Sequence, residues 1–179
     1  MTTPTRTPGK PQGPDGRVVA TPVVYCRYAS PLGTMVLAER AARLLGIWFE
    51  GQQHMPTMQG WQSGHTDVLE QATAQLQEYF ARQRQHFDLP LALDQGTEFQ
   101  AQVWSSLQHI GYGQSHRYAD VASAIGNAKA VRAVGAAIGR NPWSIVVPCH
   151  RVLGSNGTLT GYAGGLDRKR ALLQLENPA

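Results

Sequence analysis

One cysteine in this chain stands beside groups that could activate it. Cys149 follows Pro148 and precedes His150 and Arg151, in the run WSIVVPCHRV over residues 143–152. A histidine can accept the thiol proton, and neighbouring positive charge favours the thiolate. Because proline fixes its own φ and pushes the residue before it towards extended geometry, we expect a rigid corner after a buried strand-like run. The pattern indicates nucleophilic attack by sulfur.

The second cysteine lacks such surroundings. Cys26 lies in an apolar β-prone run whose basic neighbour is Arg27, and we expect it to be an inert, buried thiol. The chain has two cysteines, no CxxC pair and no histidine cluster near both, so we predict neither a disulfide framework, nor a metal site, nor a cofactor. Reduced thiols are typical of the cytoplasm.

Two predicted domains must position Cys149, and the first covers residues 19–96. Residues 1–18, rich in Pro, Gly and Thr, are expected to form a disordered tail. We then predict a hairpin over 23–37, a strand over 44–49, a loop over 51–65 and a helix over 67–84. The inner face of that helix would carry Leu69, Ala72, Leu76 and Phe80. An edge strand over 87–93 completes a small antiparallel sheet with one helix. Nothing in this domain indicates chemistry.

The second predicted domain, residues 97–179, is helical, which makes the chain an α+β two-domain protein. Thr97 and Gln100 have the spacing of a capping box, and Phe99, Val103, Leu107 and Ile110 would form the inner face of the helix that follows. Two short helices over 118–125 and 128–138 are joined by Gly126-Asn127. This arrangement is typical of a helix-turn-helix.

The distribution of charge favours a polyanionic partner for the second domain. Of the net charge of +4, residues 97–179 hold eight basic and four acidic side chains. A solvated basic surface would give the same balance. The composition, 42% hydrophobic and 16% charged, is globular, and no apolar run approaches the ~20 residues of a membrane helix. We therefore expect no membrane partner.

The second helix of the helix-turn-helix has an outer face that is almost bare. Arg132 projects there among Gly135, Ala136 and Gly139. Recognition helices that read the major groove present long polar side chains, so this face suits close approach to a narrow groove with the arginine as a wedge. Small residues that permit tight helix packing are the alternative reading.

Several ordered segments together resemble a known family. They are PCHRV at 148–152, RNP at 140–142, RAVG at 132–135, GYAGG at 161–165, KRALLQLE at 169–176 and FQAQVW at 99–104. The combination is similar to the active-site region of the O6-alkylguanine-DNA alkyltransferases, the methylated-DNA–protein-cysteine methyltransferases. The likeness covers residues 97–176. It implies an RNase H-like first domain and a winged-helix-like second domain.

The resemblance also implies direct-reversal DNA repair. The methyl group of O6-methylguanine, with O4-methylthymine as a further candidate substrate, would pass to Cys149 after the base is flipped out of the duplex. His150 would remove the thiol proton through a water, and Glu176 would orient His150. Asn141 would tie the recognition helix to the active-site loop, and Tyr118 would rotate the nucleotide and protonate the leaving guanine. The thioether product has no carbonyl for water to attack, so each molecule should react once.

The remaining implied roles concern DNA and the base pocket. Arg132 would fill the space left by the flipped nucleotide, with further DNA contacts from Tyr118, Ala133, Gly135, Ala136 and Arg151. The pocket would be formed by Pro148, Val152, Tyr162, Ala163 and Lys169. Some family members have serine where this chain has Ala163, which removes a hydroxyl. The implied partner is double-stranded DNA with O6-alkylguanine, bound through its minor groove by a cytoplasmic monomer that could assemble on DNA.

Two other classes of function remain open on sequence alone: a cysteine hydrolase, and a binding module that is either a damage sensor or a transcriptional regulator. A cysteine hydrolase could use Cys149, His150 and Glu176 on a carbonyl substrate, but it would leave the helix-turn-helix and Arg132 unexplained. A non-catalytic sensor of alkylated DNA would lack the acceptor cysteine that this chain has. A transcriptional regulator would normally have a sequence-reading helix, which is not evident here.

Overall fold

A four-stranded sheet forms the first half of the protein. The computed structural model describes residues 21–177, so the predicted disorder of residues 1–18 lies outside the described part. Strands β1 (Val24–Ser30), β2 (Gly33–Arg40) and β3 (Arg43–Phe49) pair antiparallel, which confirms the predicted hairpin and third strand. Gly33, with φ of +114°, closes the first turn in a conformation that glycine adopts at little cost.

A short fourth strand makes the sheet mixed rather than purely antiparallel. Strand β4 (Gln62–Ser63), inside the predicted loop, pairs parallel to β1, giving the order β3-β2-β1-β4. Trp61 explains this pairing, since its ring lies 6.2 Å from that of Tyr25 and 6.0 Å from that of Trp48. Those contacts hold the end of the loop against the sheet edge.

Helix α1 (Asp67–Phe80) covers one face of the sheet. It begins at the N-cap Thr66, whose hydroxyl accepts from the Leu69 amide at 3.3 Å, and it ends four residues before the predicted end. Leu69, Ala72 and Leu76 are buried as predicted. At the last turn, however, Tyr79 is fully buried and Phe80 only partly.

The predicted edge strand over residues 87–93 is wrong. The segment makes one isolated bridge to β3, in which the Leu44 amide donates to the Pro90 carbonyl at 2.8 Å and the Ala92 amide donates to the Leu44 carbonyl at 3.0 Å. Because proline has no N–H, Pro90 cannot donate to a ladder. Leu89 and Leu91 are partly buried whereas Leu93 is exposed, so the alternation reflects the partial burial of an irregular segment rather than a strand.

The second half contains the predicted helices. Helix α2 (Glu98–Leu107) begins with the complete capping box of Thr97 and Gln100. It ends at Leu107, so Ile110 is buried beyond the helix rather than on its face. Helices α3 (Tyr118–Ala124) and α4 (Val131–Gly139) confirm the helix-turn-helix, although α4 begins three residues later than predicted because residues 127–130 form a turn.

The chain between α4 and the last helix crosses the second half. A short parallel pair joins β5 (His116–Arg117) to β6 (Val152–Leu153), and helix α5 (Leu166–Glu176) follows. No helix among residues 21–177 is long and apolar enough to cross a membrane.

The segment before Cys149 is fixed to the sheet through Trp143. Its indole Nε1 donates to the Leu44 carbonyl at 2.9 Å, and the Ile47 amide donates to the Pro142 carbonyl at 2.8 Å. The run from Trp143 to Val147 was predicted to be strand-like. It is buried, but after a single bridge to Ile47 it turns, and Ile145 has φ of +73°. The first domain thus positions the turn that carries the cysteine.

We expect Gly46→Ala to destabilise this contact. A Cβ at Gly46 would lie 2.1 Å from the Trp48 ring and 2.8 Å from the Pro142 carbonyl oxygen, so β3 and the turn would have to separate. The expected loss is about 1–3 kcal/mol of unfolding free energy in urea titrations. Gly139→Ala is the control, since a Cβ there meets no heavy atom within 4 Å. Equal midpoints for Gly46→Ala and the unmodified protein would contradict the close approach.

Candidate active site

Cys149 begins a one-turn 3₁₀ helix (Cys149–Arg151) and is almost completely buried. Its Sγ accepts a hydrogen bond from Asn141 Nδ2 at 3.2 Å. Burial raises the pKa of the Cys149 thiol above its ordinary value, while the hydrogen bond from Asn141 and the charge of Lys169 oppose the rise. The resting site therefore favours a thiol that is ready to lose its proton to a base.

Asn141 links the end of α4 to the active-site turn. Besides the contact with sulfur, its Nδ2 donates to the Val147 carbonyl at 2.8 Å and to the Trp143 carbonyl at 3.3 Å. Its Oδ1 accepts from the Trp143 amide at 3.0 Å. The buried side-chain amide of Asn141 thus bonds both sides of the turn. Because Asn141 closely follows α4, the end of that helix determines the position of Cys149.

His150 is oriented by a buried carboxylate. Its Nε2 lies 2.8 Å from Glu176 Oε1, and both side chains are fully buried. Because a carboxylate only accepts, this contact assigns the proton to Nε2 and leaves Nδ1 as the basic nitrogen. Nδ1 is buried and has no hydrogen-bond partner among residues 21–177. Burial lowers the pKa of His150, and the Glu176 contact opposes that effect.

Glu176 receives hydrogen bonds on both carboxylate oxygens. Arg151 Nε donates to Oε2 at 2.8 Å and Arg151 Nη2 to Oε1 at 2.9 Å, while Tyr79 Oη donates to Oε1 at 2.7 Å. The Gly113 amide adds a bond to Oε2 at 3.3 Å. Desolvation alone would raise the pKa of Glu176, but the bonds from His150 and Arg151 outweigh it and lower the pKa to about 2. The carboxylate is therefore a permanent anion.

A cavity of about 110 Å³ lies next to Cys149, between α4 and the loop before α5. Its walls are Gln53, Tyr118, Gly135, Ile138, Gly139, Cys149, Gly161, Tyr162 and Ala163. Tyr118 and Gly135 also border an apolar recess of about 340 Å³ that reaches Arg132 and Ser155. Arg132, Ala133 and Ala136 on the same helix are exposed. Cys149 is thus enclosed beside α4, whose exposed face carries small residues and Arg132.

Tyr118 and Lys169 meet at one backbone carbonyl. Tyr118 Oη donates to the Thr160 carbonyl at 3.0 Å, and Lys169 Nζ donates to the same oxygen at 2.8 Å. Lys169 Nζ also bonds the Val152 carbonyl and is buried, and desolvation lowers its pKa to about 8. The two side chains therefore fix the loop that closes the cavity.

Two sequence profiles of one protein family match most of the chain. Residues 98–178 match the sequence profile of the 6-O-methylguanine DNA methyltransferase DNA binding domain, and residues 23–93 match that of its ribonuclease-like domain. The chain belongs to the 6-O-methylguanine DNA methyltransferase family. The family profiles cover most of the sequence, including all of the residues that surround Cys149.

Individual members of the methyltransferase family are similar over nearly their full length. A methylated-DNA–protein-cysteine methyltransferase of Methanosarcina acetivorans is 45% identical over 153 residues, which is 85% of this chain and 97% of that protein. The constitutive enzyme of Bacillus subtilis is also 45% identical, over 83% of this chain and 92% of that protein. The crystal structure of Mycobacterium tuberculosis OGT in complex with DNA matches with a TM-score of 0.80 at 42% identity, over 86% of this chain and 92% of that one.

Most of the side chains that the methyltransferase resemblance singled out lie in one connected region. Asn141 contacts the Cys149 sulfur, the next residue His150 contacts Glu176, and Tyr118, Tyr162 and Ala163 line the cavity. Burial raises the pKa of Tyr162 well above its ordinary value, so its hydroxyl stays protonated. Within the part of the chain that the structure describes, Tyr162 Oη has no well-aligned hydrogen-bond partner, although it lies near Ser144.

Arg151 is the main correction to the predicted site. The sequence placed it at the DNA surface and beside the thiol, but its guanidinium is buried against Glu176, donates to the Ile110 carbonyl and lies 5.8 Å from the centre of the Tyr112 ring. A buried arginine needs an anionic partner, and Glu176 is the anion within reach. Arg151 therefore serves the carboxylate rather than DNA.

Three predicted pocket residues lie just outside the cavity. Pro148 lines a different cavity, of about 300 Å³, on the side of the turn that faces Leu89 and Ile110. Val152 is fully buried, and its carbonyl accepts a hydrogen bond from Lys169 Nζ. Lys169 does not line the Cys149 cavity but bonds the loop that closes it. Pro148 and Val152 flank the 3₁₀ turn on either side, so the cavity receives Cys149 from this segment but neither of its two neighbours beyond the turn.

The first domain supplies two residues that the sequence did not single out. Gln53 lines the Cys149 cavity, and its backbone N–H donates to the Ala163 carbonyl at 3.2 Å. Tyr79 reaches Glu176 from α1. Gln53 sits in an irregular loop with no periodic signal. Tyr79 and Phe80 both fit the inner face of α1, so the pattern could have flagged a tyrosine on that face as a buried hydroxyl needing a partner.

We expect Glu176 to dominate the acid stability of the methyltransferase. Its pKa of about 2 lies below the unfolded value near 4.5, so its contribution is full above pH 4.5 and is lost as the pH falls towards 2. The unfolding free energy should drop by about 2–3 kcal/mol over this window. Glu176→Gln should flatten that drop, whereas Glu98→Gln, at an exposed site, should preserve it. Urea titrations at several pH values measure both slopes, and parallel slopes for the two variants would refute the assignment.

Proposed function

We propose that this protein repairs DNA by transferring the alkyl group of O6-alkylguanine to Cys149 Sγ, once per molecule. The observation that carries the proposal is the position of the sulfur. It lies in a small cavity whose wall is α4, and the exposed surface of that helix carries Arg132, Ala133 and Ala136. A base rotated out of a duplex lying along α4 would enter the cavity beside the nucleophile.

The thiol proton passes to His150 Nδ1 through a water molecule. Nδ1 is the nitrogen left free by the Nε2–Glu176 contact, and its burial without a protein partner supports this role. As the proton arrives, the fixed negative charge of Glu176 stabilises the imidazolium. Asn141 donates to Sγ and stabilises the negative charge that develops there.

Bond exchange then proceeds on the alkyl carbon. The thiolate attacks this carbon, the S–C bond forms, and the C–O6 bond breaks with its electron pair remaining on the guanine. Tyr118 lines the cavity, and burial raises its pKa and keeps its hydroxyl protonated until a strong base such as the guanine anion forms. It then gives its proton to the guanine, and the tyrosinate is reprotonated from water as the His150 imidazolium returns its proton to water. Water does not hydrolyse the S–C bond of the thioether product, so the cysteine is not regenerated and each protein molecule reacts once.

DNA binding uses the helix-turn-helix. The small residues Ala133, Gly135 and Ala136 let the backbone of α4 approach the minor groove, and Arg132 fills the space of the extruded nucleotide. Base flipping costs a few kcal/mol, which these contacts offset. Lys169 and Tyr162 support this by fixing the loop and the wall of the base pocket.

The two domains have different roles in the proposed reaction. Residues 19–96 act as a supporting domain and residues 97–179 as the DNA-binding and transferring domain. The protein works as a monomer that could assemble on DNA, without a cofactor. It acts in the cytoplasm, where a reduced thiol persists.

Cys149→Ser should bind DNA but transfer no methyl group. Serine keeps the size of the side chain but is a far weaker nucleophile, so intact-protein mass after incubation with a duplex holding one O6-methylguanine should not change. The unmodified protein should gain one CH₂, mapping to Cys149. Cys26→Ser is the matched control and should gain the same mass, because Cys26 lies on β1 outside the cavity. Methyl transfer by Cys149→Ser would overturn the proposal.

Arg132→Ala should impair repair of duplex DNA much more than reaction with free O6-benzylguanine. Free base needs no flipping, so the variant should lose about 10–100-fold in rate on the duplex and little on the free base. Arg170→Ala removes a positive charge from an exposed site on α5 and should change neither rate appreciably. Equal losses of Arg132→Ala on both substrates would instead indicate damage to the fold.

A further inference from the structure

Tyr79 is the one side chain of α1 that touches the catalytic carboxylate. Its Oη donates to Glu176 Oε1 at 2.7 Å, across 97 residues of sequence. The ring is fully buried and packs against Phe80, Phe87 and Tyr112, at centroid distances of 5.5, 5.5 and 6.2 Å. Phenylalanine would fill the same aromatic position, so the packing does not account for the hydroxyl.

The hydroxyl reaches the oxygen that orients the base. Glu176 Oε1 accepts from Tyr79, from His150 Nε2 and from Arg151 Nη2, whereas Oε2 accepts from Arg151 Nε and the Gly113 amide. Three donors on one carboxylate oxygen fix its position and share its negative charge. Tyr79 therefore affects both the direction of the His150 ring and the strength of its contact with Glu176.

We propose that Tyr79 is a positioning residue of the alkyl transfer, holding the Glu176 oxygen that orients His150. The role in alkyl transfer rests on the proposed function, whereas the hydrogen bond between Tyr79 and Glu176 does not depend on it. It makes the first domain a contributor to the chemistry through a single hydroxyl. The role is indirect, since Tyr79 lines no wall of the Cys149 cavity.

The direction of the effect follows from charge sharing. A donor on Oε1 withdraws negative charge from the side that faces His150, which weakens the stabilisation of the imidazolium. Without the hydroxyl, more charge faces Nε2, so the pKa of His150 should rise. The groups that face this site are Glu176 and Lys169 on α5, Cys149 and Arg151 on the turn, and Tyr112 beside Arg151. A change of Tyr79 to phenylalanine leaves all of these side chains in place and removes one donor from Glu176 Oε1.

The test compares Tyr79→Phe with the unmodified protein in two measurements. The first is the titration of the His150 ring nitrogens by NMR, without substrate. The second is the pH profile of transfer from O6-benzylguanine. We expect the His150 titration and the acid limb of the profile to move to higher pH by about 0.5–1 unit, a threefold to tenfold loss of rate at a fixed acid pH. The alkaline plateau should change less.

Tyr28→Phe is the matched control. Tyr28 also packs on α1, with its ring 6.4 Å from that of Phe80, but it does not touch Glu176. It should leave both titrations in place. If Tyr79→Phe does not fold, Tyr79→3-fluorotyrosine keeps the hydroxyl as a stronger donor, and the His150 titration should then move to lower pH.

The outcomes separate the two proposals. Coincident His150 titrations for the unmodified protein and the Tyr79 variant would overturn the positioning role, whatever the activity. Failure of the unmodified protein to take up an alkyl group would overturn the proposed function, while the NMR titration would still decide the role of Tyr79. A loss of stability with no movement of either titration would reduce Tyr79 to a packing residue.

Discussion

A buried carboxylate at the end of the last helix is the constraint on which the site depends. Glu176 cannot remain charged in the interior unless donors surround it, because an unpaired buried anion would cost several kcal/mol. The protein supplies them from three places: α1, the turn after α2, and the 3₁₀ turn, which contributes both His150 and Arg151. The same requirement that keeps Glu176 ionised brings these segments together. His150 is oriented as part of that arrangement, so its tautomer is fixed before any substrate arrives.

The resting site balances two opposing effects on sulfur. Burial holds the Cys149 thiol protonated, whereas Asn141 and the nearby ammonium of Lys169 favour the thiolate. A permanent thiolate would react readily with oxidants and with electrophiles other than the substrate. Because each protein molecule reacts once, any such reaction would inactivate that molecule. A thiol that loses its proton only to a well-placed base limits these reactions. The buried cavity and the basic Nδ1 of His150 therefore act together. They keep the Cys149 thiol unreactive towards other electrophiles until the base removes its proton.

The sequence predicted the parts of this structure that depend on local rules. The capping box at Thr97, the hairpin closed by Gly33, the helix-turn-helix and the Cys149–His150 pair all follow from neighbouring residues. The strand predicted over 87–93 failed because alternation of apolar residues reports burial, and a ladder needs a paired edge as well. Arg151 was misplaced for a related reason. Its charge is visible in the sequence, but the anion that captures it lies 25 residues away.

The first domain shows most clearly why the remainder escaped sequence reasoning. No residue in it has the type or spacing of a catalytic group, yet its contacts determine where the site lies. The Leu44 carbonyl accepts from Trp143, and Gln53 forms part of the cavity wall. The bond between Leu44 and Trp143 spans 99 residues, and the backbone N–H of Gln53 donates to the distant Ala163 carbonyl. In both contacts the first domain contributes a backbone group of a kind that every domain has in abundance. Only the fold gives such ordinary groups a function. Since the active-site turn is bonded to β3 and the catalytic carboxylate to α1, separating the domains would remove support from both ends of the nucleophile–base–carboxylate chain.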